Sequence, residues 1–310
     1  MRVATLDIGT NTVLLLIAET TDAGLCPLAE RATITRLGEG VDRTRTLAPA
    51  AIERTVACLD TYAALVKELG VVRVGVVATS AMRDASGGEG IRAHVRNAFG
   101  VEARVISGDE EARLTFLGAL SGLEATGEHV VFDVGGGSTE VVRGTLGAGA
   151  GAGGQIESMA FAHSFDVGSV RLTERYIRSD PPSSDELALV TEEARRVFAP
   201  LGDTLVGKEP VGIAGTVTTL AAVALGLTPY DGARVHGARF PVATLRRVVT
   251  ELGAMELGAR RGVPGLEPNR ADVIVAGGLV ALALLERAGA STVRMSDRGV
   301  RWGLALELAG

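Results

Sequence analysis

One pattern occurs twice in this chain, and it limits the folds available more than anything else in the sequence. Val3-Ala-Thr-Leu-Asp7-Ile-Gly9-Thr10-Asn11-Thr12 and His129-Val-Val-Phe-Asp133-Val-Gly135-Gly136-Gly137-Ser138-Thr139 share one layout. Each is a short apolar strand, an Asp, an apolar residue, a Gly-containing turn and then a second strand. A motif-level duplication of this kind implies two related halves. The length of 310 residues agrees, being too long for one ordinary core and suited to two domains.

Strands and helices alternate along both halves. Strands are expected at residues 3–6, 13–19, 72–78 and 101–106. A helix opens at Pro49, carries Ile52, Val56, Leu59, Ala63, Val66 and Leu69 at helical spacing, and stops at Gly70. The second half adds strands at 156–161, 211–214 and 292–295. Its helices are expected at 167–177, 185–205, 216–225, 243–255, 270–287 and 300–308. The Gly/Ala run from Gly147 to Gly154 reads as a loose hairpin tip. The class is α/β with open, mixed sheets flanked by helices.

Several segments carry groups suited to anion chemistry. In Asp7-Ile-Gly9-Thr10-Asn11-Thr12, a tight turn after a strand can aim successive amides at a phosphate, while Asp7 can hold a metal or its water. An ordinary hairpin turn has the same composition. In Asp133-Val-Gly135-Gly136-Gly137-Ser138-Thr139-Glu140, three glycines cost folding entropy but let backbone approach an oxyanion closely. The acids on either side, Asp133 and Glu140, suit a hard divalent cation. Ala214-Gly215-Thr216 is a third strand-to-helix junction, able to present amides or simply to cap a helix. Ser107-Gly-Asp-Glu110-Glu111 places acids in a first helical turn, where the macrodipole favours them and where one of them can also serve as a base for water. Arg83, just past a strand end, can clamp a phosphate or pair with Asp84.

Composition excludes other classes. A net charge of −6 gives no broad attraction to nucleic acid. Only Lys67 and Lys208 among the 31 basic residues are lysines, which reads as genome composition. The opening segment lacks a signal-peptide pattern. The longest apolar stretch, residues 271–285, is shorter than a membrane span and reads as a buried helix. Cys26 and Cys58 lie in no metal or redox spacing, so a reduced cytoplasmic protein is expected, with no nucleic-acid or membrane partner.

In combination and in this order, DIGTNT at Asp7, ATSAMRDA at Ala78, SGDEEARLTFLGA at Ser107, FDVGGGSTE at Phe132, DVGSVRLTERY at Asp166, GTVTTLAA at Gly215, RADVIVAG at Arg270 and SDRGVRWG at Ser296 resemble the exopolyphosphatase and guanosine pentaphosphate phosphohydrolase family. That family lies within the actin, sugar-kinase and Hsp70 superfamily. The resemblance implies two ribonuclease-H-like domains with the active site in the cleft between them. The domains would be 1–122 plus 291–310, and 123–290. It implies phosphate loops at Gly9, Thr10, Asn11 and Thr12 and at Gly135, Gly136, Gly137, Ser138 and Thr139, with Gly215 and Thr216 in the superfamily's third loop and Arg83 on the phosphate chain. By the family pattern Glu111 is catalytic with Glu110 beside it, and Asp7, Asp133 and Glu140 hold Mg2+ or Mn2+ or orient water. The implied reaction is release of the terminal phosphate of polyphosphate or a nucleotide polyphosphate by water, with a homodimer common in the family. Thr10 and Thr12 stand where Ser is usual, and the additional helical C-terminal region of the longer members does not follow Gly310. A small-molecule kinase and a nucleotide-binding assembly protein are the superfamily alternatives.

Overall fold

The computed structural model describes residues 1–310 except Ala23, Glu124 and 148–154. The chain divides into two compact units. One comprises Met1–Thr126, the described residues of Gly147–Ile156 and Gly299–Gly310, and the other Gly127–Leu146 and Glu157–Arg298. The expected hairpin tip falls almost wholly outside the described residues; at its edges Gly147 N–H donates to the Gln155 carbonyl.

The first unit carries a sheet of β1 (Arg2–Ile8), β2 (Thr12–Thr21), β3 (Gly24–Ile34), β4 (Arg73–Ala78) and β5 (Ala103–Val105), in the order β3-β2-β1-β4-β5. The second carries β6 (Gly127–Val134), β7 (Thr139–Leu146), β8 (Ile156–Phe165), β9 (Pro210–Ile213), β10 (Arg239–Pro241) and β11 (Thr292–Met295), in the order β10-β11-β9-β6-β7-β8. With β6 set against β1, the two orders agree, and β10 is an added edge. The pairings agree as well. β1 runs antiparallel to β2 and parallel to β4, and β6 runs antiparallel to β7 and parallel to β9. The duplication legible in the motifs therefore extends to whole sheets.

The central strands are apolar because helices cover both faces of a sheet whose middle is parallel. Along β1, Val3, Ala4, Leu6 and Ile8 are fully buried, and along β6 so are Val130, Val131 and Phe132. The edge strand β3 is absent from the sequence-based expectations. Its residues are exposed or half-buried and include the exposed Pro27 and Arg31, which give little hydrophobic signal and suit an edge that must not recruit another strand.

The expected domain division differs from these units at 123–126, 147–156 and 291–298. Residues 123–126 stay with the first unit, and residues 291–298 belong to the second. The reason is strand pairing: β11 lies parallel to β9, with Arg294 opposite Val211 and Met295 opposite Gly212. Only the terminal helix Val300–Ala309 returns to the first unit. Two helices are also shorter than expected. The helix at 184 ends at Phe198 and passes into a short 3-10 turn, Ala199–Leu201, where Pro200 has no N–H to continue the helical hydrogen bonds. The helix expected from 270 begins at Ile274, after a 3-10 turn over Pro268–Arg270. It is a buried core helix, and no helix among the described residues is long and apolar enough to cross a membrane.

In the first unit the terminal helix crosses the helix Gly108–Leu120 at backbone contact. A methyl on Gly118 would overlap the Gly299 carbonyl, and one on Gly303 would overlap the Leu114 carbonyl. Trp302 is buried behind this crossing. The crossing matters for function because the same helix carries Glu110 and Glu111. Since the obstructing atoms are backbone and cannot swing aside, Gly303→Ala is expected to cost about 1–3 kcal/mol by overpacking. Urea unfolding of wild type and variant checks this, and an unchanged midpoint would contradict it.

Candidate active site

The two turns have the same construction. Each carboxylate sits one residue before the end of its strand, Asp7 opposite Leu14 and Asp133 opposite Glu140. Each turn is closed by one backbone hydrogen bond, Gly9 N–H to the Thr12 carbonyl at 3.1 Å and Gly135 N–H to the Ser138 carbonyl at 3.0 Å. A Cβ on Gly9 would lie 2.9 Å from that carbonyl oxygen, and one on Gly135 would lie 3.1 Å from its own. The closing bond therefore explains why glycine stands at both positions.

Each turn is also backed by a second segment of its own unit. Behind the first, Gly38 N–H donates to the Thr10 carbonyl at 2.8 Å, and Thr35 and Arg36 N–H donate to the Asn11 carbonyl at 3.1 and 3.0 Å. Behind the second, the start of the helix Ser169–Tyr176 donates to Gly135 and Gly136. Motif reading gave these backing segments, Thr35–Gly38 and Gly168–Arg171, no role of their own. The signal was the pair Gly38 and Gly168, since a side chain at either would strike the turn it backs.

The acidic groups are oxygen donors throughout. Asp133 and Glu140 are directly opposite in an antiparallel pair, so their side chains share one face of the sheet. Glu140 is buried and its Oε1 accepts from Ser164 Oγ at 2.7 Å. Asp7, in the other unit, is also buried. Among the described residues no group of three or more His, Cys, Asp or Glu could hold a metal ion, so the expected trio of Asp7, Asp133 and Glu140 is not seen as one group. The pair Asp133 and Glu140 offers the hard oxygen donors that Mg2+ accepts alongside waters.

The two adjacent glutamates are separated by helix geometry. Successive helical residues point about 100° apart. Glu110 turns outward and pairs with Arg104 at 2.9 Å, with its side chain 31% exposed. Glu111 turns inward, is 6% exposed, and accepts from Arg83 Nη1 at 2.9 Å. Arg83, on the short helix Ser80–Asp84, also donates to the Ile106 carbonyl at 3.1 Å and stands 3.8 Å from Asp84. The structure thus brings Arg83 and Glu111 together and holds Glu110 apart.

Three of the expected phosphate contacts have other commitments. Thr139 is fully buried and its hydroxyl donates to the Val167 carbonyl at 2.6 Å. Thr216 donates to the Val134 carbonyl at 2.9 Å, tying the third junction to β6. Both hydroxyls hold the loops in shape, so neither side chain is a free donor as expected. Gly215 lies directly beneath the Arg270 guanidinium, with which a methyl there would overlap. Burial pushes Arg270 below its usual range, and the nearby Glu267, Tyr230 and Asp133 push it back. Ala214, at the head of this junction, has a positive φ of 63°, a strained backbone of the kind that clusters at functional sites. Ser138, Thr10, Asn11 and Thr12 are buried within their turns.

Two mixed sheets of matching order, each ending in an acid-bearing glycine turn, define a two-domain protein of the actin-like ATPase class. The chain belongs to the Ppx/GppA phosphatase family, whose sequence pattern matches residues 16–310. It is similar to Exopolyphosphatase 2 of Mycobacterium tuberculosis, at 40% identity over 327 residues covering 100% of this chain and 99% of that protein. It is also similar to Exopolyphosphatase 1 of Mycobacterium bovis, at 28% identity covering 99% of this chain and 88% of that protein. The crystal structure of the Aquifex aeolicus member of the Ppx/GppA family superposes with a TM-score of 0.81 at 33% identity, covering 99% of this chain and 97% of that one. An exopolyphosphatase from Cytophaga hutchinsonii shares the fold, with a TM-score of 0.87 at 23% identity over 100% of this chain and 98% of that one.

The Arg83–Glu111 contact predicts coupled energetics. Removing either partner leaves the other's charge poorly matched, whereas removing both does not. Urea unfolding of Arg83→Met, Glu111→Gln and the double variant is expected to give a coupling energy of about 0.5–3 kcal/mol. Strict additivity would show that the contact carries no energy.

Proposed function

We propose that this chain releases the terminal phosphate of inorganic polyphosphate by water attack, with guanosine pentaphosphate as the second substrate to be compared. The observation that carries the reading is the buried Glu111 carboxylate on Arg83, singled out from its neighbour Glu110 by its burial and its partner. Membership of the phosphatase family and the full-length similarity to exopolyphosphatases support the same choice.

In this mechanism Glu111 orients the attacking water and takes its proton. The charge-assisted bond from Arg83 fixes the orientation of the Glu111 carboxylate. From that same position Arg83 contacts the phosphate chain of the substrate. Backbone amides of a glycine turn, at 135–139 and likewise at 9–12, stabilise negative charge on a phosphoryl group, which is where such a reaction needs most help. Asp133 and Glu140, opposite each other on β6 and β7, are the residues to hold Mg2+ or Mn2+, and Asp7 is the corresponding oxygen donor of the first unit. When bound, the metal neutralises charge on the phosphate oxygens. The reading includes a cytoplasmic setting, in keeping with two free thiols at Cys26 and Cys58, and a homodimer as the working assembly.

The test is phosphate release from long-chain polyphosphate, guanosine pentaphosphate and ATP, with Mg2+ and with chelator. Wild type is expected to release phosphate from polyphosphate and to lose this with chelator. Glu111→Gln is expected to fold normally and to lose about 10²–10⁴-fold in turnover. Full activity in that variant removes Glu111 from the mechanism. ATP consumption that needs an added acceptor turns the reading to a kinase.

A further inference from the structure

The second glycine turn has an unusual support behind it. The Gly135 carbonyl accepts from Ser169 N–H at 2.9 Å and from Ser169 Oγ at 3.1 Å. The Gly136 carbonyl accepts from Val170 N–H at 2.9 Å and Arg171 N–H at 3.1 Å. The Gly137 carbonyl accepts from Arg171 Nε at 2.7 Å. Three successive carbonyls are thus drawn to one side, two by the start of a helix and the third by a guanidinium. All these residues lie in the second unit.

Peptide planarity makes this consequential. In a trans peptide the carbonyl and the following N–H point in opposite directions. Holding the carbonyls of Gly135, Gly136 and Gly137 behind the turn therefore sends the N–H groups of Gly136, Gly137 and Ser138 to its front. Successive amides facing one way form an anion-binding concavity. Three glycines left to themselves would sample many other arrangements, since glycine loses more conformational freedom on ordering than any other residue.

We propose that Arg171 is a positioning residue, which holds the Gly137 carbonyl so that the amides of the second turn are pre-arranged for a phosphate group. This rests on the reading of that turn as a phosphate loop. Arginine suits the task because its Nε–H is a directional donor on a rigid plane and its charge is permanent. The Arg171 side chain is only 7% exposed, and its outer nitrogen lies 3.7 Å from Asp166. Gly168 completes the support by letting the helix start lie on the turn, since a Cβ there would sit 2.5 Å from the Gly136 carbonyl oxygen. The first turn, built with side-chain donors rather than three glycines, is backed by the amides of Thr35, Arg36 and Gly38.

The experiment is calorimetric titration of the full chain with tripolyphosphate and Mg2+, in a Glu111→Gln background so that the ligand is not consumed. Arg171→Met removes the donor, and Gly168→Ala pushes the helix start off the turn while leaving Arg171 in place. Each is expected to weaken binding about 10- to 100-fold, the scale on which outer supports act at such sites, at a temperature well below the unfolding midpoint of each variant. With Glu111 restored, kcat/KM for polyphosphate is expected to fall in parallel. A lowered midpoint with affinity unchanged would mean that Arg171 only holds the fold, and would overturn the proposal. Should Arg171→Met fail to fold, Gly168→Ala alone decides. If the background protein binds tripolyphosphate and neither variant weakens it, the positioning role fails and the phosphatase reading stands. If binding shifts as expected but no phosphate is released by wild type, the hydrolase reading fails and the positioning role stands. If the background protein binds no tripolyphosphate, both fail together.

Discussion

A single hydrogen bond across four residues closes each glycine turn, and the candidate site depends on that closure. It brings the residue after Asp7-Ile8 or Asp133-Val134 back onto the carbonyl three positions later. The carboxylate is thereby left at the end of a central strand, beside a hairpin partner on one side and a parallel neighbour on the other. Because those strands are buried in the middle of their sheets, the turn has little room to shift. A side chain at Gly9 or Gly135 would press on the closing carbonyl itself. Closure, strand register and acid placement are one arrangement.

The second level of order comes from what backs each turn. Backbone amides from Thr35, Arg36 and Gly38 serve the first, and the start of a helix with Arg171 serves the second. Thr139 and Thr216, which composition suggests as ligand contacts, spend their hydroxyls in the same scaffolding. Buried hydroxyls that satisfy carbonyls avoid the cost of an unmade bond, and this outweighs any gain from keeping them free. The polar residues of these loops therefore divide into those that shape the turn and those that remain to face a ligand.

Much of the fold was legible in the sequence, for local reasons. The duplicated strand–Asp–turn–strand pattern, the Pro49 helix start and the apolar period of the central elements depend on residues close together in the chain. β3 escaped notice because an exposed edge carrying Pro27 has no apolar alternation to read. The terminal strand was assigned to the wrong half because β11 and the helix after it are adjacent in sequence yet belong to different units. Nothing local to residues 291–298 records that β9 is their partner.

The sequence by itself determined the kind of chemistry: two acid-bearing glycine turns, a pair of glutamates at a helix start, oxygen donors rather than thiols, and the family to which these belong. Residue type and spacing suffice for that, because turn closure and helix capping are short-range effects. Only the tertiary structure decided which groups meet. It separated Glu111 from Glu110 by burial and by partner, since both satisfy the same helix start and differ only in the direction they face. It brought Arg83 to Glu111 across 28 positions of chain, and Arg171 to Gly137 across 34. Such pairings follow from how sheets and helices pack, which one-dimensional spacing does not encode.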